Sequence, residues 1–420
     1  MSSWSRALVW SLIAAAFIGP GTVTTAARAG TEGGWYYGFF LLLAAVAGYL
    51  LMEMAARLTL VSGQTLGQIL GSRGKGLAIA CFLAVLLGCV AYQAGNLLGA
   101  LGGIQLIVGG HRWWLLALAL PAFVVLWTGD TKKISGLLAV IVGLMGLVFV
   151  VVAIGLLFGS ASLTGEGKVE TNTIVALVGT TIVPYNFFLA AGLSQGQVLG
   201  DMQRGLLVSF IIGALITLSI VLVGSVANVF TNFADLALTL DASLWGKGNE
   251  VLGIGLFAAG FSSAVTAPLA ASLAGRELLG GILKTDFGNR SATFRIIWLV
   301  VLVFGLFVAL FELDIITVIL AAQVANGLLL PLIAAIVLVY ANDRRLLGTK
   351  VNAIWQNVAG LLVAGFLANK NFELLLGKFT APVGAGPWGE SLAILYCGIL
   401  AYLMYRQRTL GSGARRAPEV

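Results

Sequence analysis

The chain is a succession of about twelve apolar runs joined by short polar connections, each run roughly 17 to 25 residues long. A run of that length crosses the hydrocarbon of a bilayer as a helix, because lipid offers no partner to an unpaired backbone group and a helix satisfies its own N–H and C=O groups. Only 10% of the 420 residues are charged and mean hydropathy is +1.01, against about 25% charged residues in a soluble domain. The chain is therefore expected to be an all-α, multi-pass integral membrane protein.

The runs lie near residues 8 to 29, 35 to 60, 77 to 101, 113 to 128, 135 to 158, 173 to 195, 205 to 229, 250 to 273, 296 to 311, 315 to 340, 352 to 370 and 389 to 405. Residues 1 to 7 are too few, and the following run too long, for a cleaved signal peptide, so the first run is expected to be retained. With the N-terminus in the cytosol, most Lys and Arg fall in cytosolic loops, including Arg73, Lys75, Lys132, Lys133, Arg344 and Arg345. Only Arg28, Arg112, Lys168, Lys247, Lys370 and Lys378 then lie outside. That asymmetry orients both termini inward, in a plasma (inner) membrane. The net charge of +7 is read as this bias, so no nucleic-acid partner is expected. Cys81, Cys89 and Cys397 lie in apolar runs without metal-ligand spacing, so neither a disulfide framework nor a cofactor follows from them.

Inside the first run stands FIGPGTVTT, residues 17 to 25. Pro20 removes a backbone donor, and Gly19 and Gly21 loosen what remains. In lipid such a break is tolerated only where the freed groups meet protein, water or a ligand. Five runs later VGTTIVPYNFFLAAGL repeats the device, with Pro184 in mid-run and Thr180, Thr181, Tyr185 and Asn186 around it. A lone membrane proline is usually a packing kink. Two at corresponding places of two five-helix halves point instead to a midplane binding site in an inverted-repeat transporter.

These segments resemble the Nramp divalent-metal transporters over roughly spans 1 to 10. GPGTVTTAARAG falls where that family has its Asp-Pro-Gly-Asn break and VGTTIVPYNFFLAAGL where it has its Met-Pro-His motif. LLMEMAARLTLVSGQTL, AAGFSSAVTAPLAASLAG and AAQVANGLLLPLIAAIVLVYANDRRLLG are similar to the family along their lengths. The resemblance implies a carrier of eleven or twelve helices with the LeuT-type five-plus-five inverted repeat, helices 1 and 6 broken, working by alternating access. It also implies one transmembrane domain over 1–420, with repeats near 8–158 and 173–340 and accessory helices near 352–405.

The same comparison removes the family's metal ligands one by one. Its aspartate aligns with Gly19, its asparagine with Thr22, its methionine with Val183 and its carbonyl-donating alanine with Thr180. Its two histidines align with Tyr185 and Ala190, and the acidic pair tied to its proton route falls on YQAGN, Gln93 to Asn96. Manganese and iron(II) are held by carboxylate, carbonyl, imidazole or sulfur donors, and magnesium usually takes at least one carboxylate. The site expected from Gly19, Gly21, Thr22, Thr25, Thr180, Thr181, Val183, Tyr185 and Asn186, faced by Gln323 and Asn326 of span 10, is neutral. It suits a partly hydrated cation, or a small polar organic solute whose charged ends meet half-helix termini.

Intramembrane ionisable groups are coupling candidates. Glu53 and Arg57, four apart on one helix face, read either as a proton or cation relay or as a buried ion pair bracing the bundle; the built-in partner favours the brace. Arg28 is either a pathway residue or a snorkelling one. His111, alone in the loop before Trp113 and Trp114, is not expected to be a ligand. No nucleophile with a base, no carboxylate pair and no phosphate loop suggests an enzyme, and the 55 glycines read as close helix packing. The leading expectation is a secondary carrier, monomeric in the bilayer, of a divalent or other inorganic cation; the alternatives are an organic-solute carrier and a sensor that has lost transport.

Overall fold

The computed structural model describes residues 18–128, 131–158, 169–194, 196–227, 229–241, 244–283, 285–311, 313–379 and 388–410. Among them there is no strand, and nine helical stretches are long and apolar enough to cross a membrane. The apolar helices Trp114–Thr128 and Gly143–Phe158 are shorter, and of the first expected run, 8 to 29, only the part from Ile18 onward falls among the described residues.

The helices follow in chain order as α1 (Pro20–Gly33), α2 (Tyr36–Ser62), α3 (Leu66–Arg73), α4 (Lys75–Val108), α5 (Trp114–Thr128), α6 (Thr131–Phe158), α7 (Thr171–Thr181) and α8 (Pro184–Ser194). After these come α9 (Leu199–Ser225), α10 (Phe233–Asp241), α11 (Gly248–Leu279), α12 (Ala292–Leu310), α13 (Ile315–Tyr340), α14 (Arg344–Leu347), α15 (Ile354–Phe379) and α16 (Trp388–Leu410). Some helices outrun their sequence boundaries. α4 extends past residue 101 because its glycines are packing surfaces: an added Cβ at Gly103 would strike the backbone of α11 at Gly253 and Phe257. The connectors α3 and α10 are short helices that the hydropathy reading leaves as loop. α3 begins with a capping box, in which the Thr65 hydroxyl accepts from the Gln68 amide and the Gln68 side chain accepts from the Thr65 amide.

Packing partners come in matched pairs. α4 lies along α11 at the centre; α1 packs on α9 as α7 and α8 pack on α2; α4 contacts α12 and α13 as α11 contacts α5 and α6. Exchanging each helix of one five-span set for its counterpart in the other maps these contacts onto one another, which is the five-plus-five inverted-repeat architecture. Small residues allow the close approaches: a Cβ on Gly30 would collide with the α9 backbone at Val221 and Gly224, and one on Gly260 with α4 at Ala100. Outward faces carry Phe39, Leu87, Leu120, Leu147 and Ile211, apolar surface suited to hydrocarbon. α15 and α16 pair with each other and lie on α13, outside both sets.

Candidate functional site

The first break is built at Gly19. Its backbone is extended (φ -116°, ψ 179°), and its carbonyl accepts from Thr22 and Val23 at 3.0 and 3.2 Å, opening α1 with Pro20 at the position where a missing N–H costs nothing. The residues before Ile18, the other half of this run, lie outside the described residues. The second break is complete. α7 ends at Thr181, Ile182 leaves helical geometry (φ -115°, ψ 80°), and Pro184 opens α8, the residue before a proline being turned away from the helix.

The two breaks meet through hydroxyls: Thr22 Oγ1 and Thr180 Oγ1 are 3.0 Å apart and buried. Around them, buried polar atoms stand without hydrogen-bond partners among the described residues: Thr24 and Thr25 Oγ1, Asn186 Oδ1 and Nδ2, Gln323 Oε1, Asn326 Nδ2, Asn96 Nδ2 and the Tyr92 hydroxyl. Gln323 abuts Gly21, where a Cβ would overlap its carboxamide. A Cβ on Gly19 would come within 3.0 Å of Ser263 Oγ and 4.0 Å of Asn96 Oδ1, and Asn326 Oδ1 reaches Gly88 on α4. Tyr92 and Tyr185 meet edge to face at 5.9 Å, and the Tyr92 hydroxyl lies beside Thr180 and Gln323 without a hydrogen bond of normal geometry to either. Orphaned buried polar atoms are costly. A ligand or water between the two helix breaks would satisfy them.

Of the residues the sequence suggests, Gly19, Gly21, Thr22, Thr25, Thr180, Tyr185, Asn186, Gln323 and Asn326 are buried here, and Val183 is buried at the second break. Thr181 is only half-buried: its hydroxyl donates to Leu177 O at 2.8 Å, and with Thr180 it lines a small crevice against Ala45, Phe210 and Thr217. Thr181→Ala is accordingly expected to leave substrate flux within about twofold of wild type, whereas Thr180→Val, which removes the bridge to Thr22, is expected to cut it at least about tenfold. Equal losses would extend the site into the crevice that both threonines line.

Sequence reasoning missed Tyr92 and Ser263, and noted Gln93 and Asn96 only as the place of an absent acidic pair. The visible signal was YQAGN itself, polar amides in mid-span. Among the described residues no three His, Cys, Asp or Glu side chains converge as a metal cluster, and the side chains named above at the breaks are all uncharged.

The coupling candidates belong to networks with partners of their own. Arg57 donates to Glu53 at 3.0 Å, to Asn352 Oδ1 at 2.6 Å and to the Lys350 carbonyl, while Gln203 of α9 donates to Glu53 Oε1 at 2.9 Å. This ties α2 to α9 and to the segment before α15. Arg28 pairs with Glu32, which accepts from Thr173 of α7 at 2.7 Å. Arg28 thus joins a link between α1 and α7.

A family profile described as natural resistance-associated macrophage protein-like (Nramp) matches residues 11–377. The divalent metal cation transporter MntH of Levilactobacillus brevis is 23% identical over 410 residues, covering 87% of each chain. MntH 1 of Pseudomonas aeruginosa is 24% identical over 399 residues, covering 87% of this chain and 89% of its own. Among solved structures, the manganese transporter of Eremococcus coleocola superposes with a TM-score of 0.71 at 17% identity, over 97% of this chain and 95% of that one. A nucleobase-cation-symport-1 family transporter superposes at 0.56 with 16% identity, over 97% and 96%. The fold is thus shared across two kinds of carrier.

Proposed function

This chain belongs to the Nramp family, a family of multi-pass membrane transporters and not of enzymes, and from that membership we propose that it is a secondary carrier that moves an inorganic cation by alternating access, through a neutral site between its two broken spans. The observation that carries the reading is the Thr22 to Thr180 contact amid unpartnered carboxamides. Relatives named as divalent metal cation transporters support a cation as substrate. Hydroxyl and carboxamide oxygens compensate a stripped divalent ion poorly, so the ion retains part of its water shell and is held weakly. We place both termini in the cytosol and the repeats near 8–158 and 173–340.

Flux in liposomes decides this. Manganese(II) uptake driven by an imposed ion gradient is expected in wild type and at least about tenfold slower in Thr22→Ala/Asn186→Ala. No cation moved under any gradient overturns the substrate and leaves the fold untouched.

One observation favours a second reading. Asn186 offers an orphaned donor as well as an orphaned acceptor, and Asn96 and Asn326 add further N–H donors, for which a bare cation has no use. A small polar organic solute would pair with both kinds. In a thermal-shift screen, a solute that binds only the folded carrier at a hundred times its Kd adds about 2.7 kcal/mol to stability. A screen blank for every solute but positive for one metal removes this alternative.

A further inference from the structure

In a regular helix the carbonyl of residue 327 accepts from the N–H of residue 331. Residue 331 is Pro331, inside α13, and has no N–H. The Gly327 carbonyl therefore lacks its intrahelical donor in the middle of a span, where lipid supplies no substitute. Asn371 of α15 fills the gap: its Nδ2 donates to Gly327 O at 3.1 Å and to Leu328 O at 3.2 Å, and the residue is only 5% exposed. One helix further out, the Tyr396 hydroxyl of α16 donates to Pro331 O at 2.7 Å.

The stretch so held is the one that carries Gln323 and Asn326. Its other side lies against α7 without clearance. A Cβ on Gly327 would strike Val175, and one on Gly179 would strike the Gln323 carbonyl and the Gly327 amide. Residues 323–327 are thus set between the outer half of the broken sixth span and a donor from outside the two five-helix sets.

We propose that Asn371 is a positioning residue: from an accessory helix it satisfies the backbone carbonyl that Pro331 frees in α13, and so fixes Gln323 and Asn326 against the α7 break. The accessory helices α15 and α16 then act on the substrate site, not only on the lipid boundary. In its transport arm the inference rests on the carrier reading above.

A double-mutant cycle on the full chain tests it, because Pro331→Ala returns an N–H at residue 331 that can reach Gly327 O within the helix. Melting temperature in detergent and the KM for manganese(II) in liposomes are read for wild type, Asn371→Leu, Pro331→Ala and the double variant. Asn371→Leu is expected to lower the melting temperature and raise KM about tenfold, with the maximal rate changed much less. In the Pro331→Ala background both effects are expected to shrink to near nothing. Asn371→Ser, which retains a donor, replaces Asn371→Leu should the latter not fold, with a smaller effect of the same pattern. Equal effects of the Asn371 substitution in both backgrounds overturn the proposal, because a packing role has no reason to depend on residue 331. If wild type moves no manganese(II), the cation reading fails by itself, and the melting cycle alone decides the role of Asn371.

Discussion

Arg57→Ala is expected to destabilise the folded protein by about 3–5 kcal/mol, the cost of leaving a buried charge without its partner. Glu53 and Arg57 are 5% and 6% exposed at their side chains. Among the described residues Glu53 Oε2 already lacks a hydrogen bond, and removing the guanidinium leaves Gln203 as the remaining donor to Oε1. Removing both charges, as Glu53→Met/Arg57→Met, is expected to cost much less, because apolar groups of similar volume replace buried ion pairs at little net cost. Melting temperatures should fall in the order wild type, double variant, Arg57→Ala. A single variant at least as stable as the double one would remove the bracing role and return Glu53 to the relay reading. Under the brace reading, the double variant still transports.

On the proposed cation reading, Gly19→Asp is expected to strengthen binding of a divalent ion at the first break. The position needs no glycine: its φ of -116° is open to any L-residue, and the nearest atom to an added Cβ is the terminal Ser263 Oγ at 3.0 Å, which rotation of a small side chain relieves. A carboxylate would then stand at the break beside Thr22. At an effective dielectric near 20, one unit charge about 4 Å from another gains roughly 4 kcal/mol, and a divalent ion doubles that before dehydration is counted. A gain of at least about a hundredfold in manganese(II) affinity is expected, read by titration of purified protein. Unchanged affinity would mean that the ion does not pass the first break.

How much of this was legible in the sequence depends on what kind of signal each feature leaves. The helix breaks announce themselves, because Gly19, Pro20 and Pro184 are chemically conspicuous in apolar runs and their effect on the backbone is local. The neutral residues GPGT and VPYN are equally plain beside the motifs of the family that they resemble, and the reading of a neutral site comes from them. The face of a broken helix is not local information. Beside Ile182 the helical period is interrupted, so Thr180 and Thr181 look alike in sequence, yet one bridges to Thr22 and the other bonds back to Leu177. Tyr92 and Ser263 were missed, and Asn96 was noted without a place in the site, because α4 and α11 reach the breaks only through tertiary packing. Asn371 carries even less signal: its partner is a carbonyl freed by a proline forty residues earlier, and nothing in NKNFELL announces it. The short helices α3 and α10 escaped a reading tuned to runs long enough to span.

The most direct test of the neutral site is calorimetric titration of the purified wild-type protein with manganese(II), magnesium and calcium, beside Thr22→Ala/Asn186→Ala. A site of hydroxyls and carboxamides predicts weak binding, with little preference for manganese over the other two because no sulfur or carboxylate selects it, and loss of that binding in the double variant. Tight, manganese-selective binding that survives in the double variant would contradict it and put the metal somewhere other than between the two broken spans.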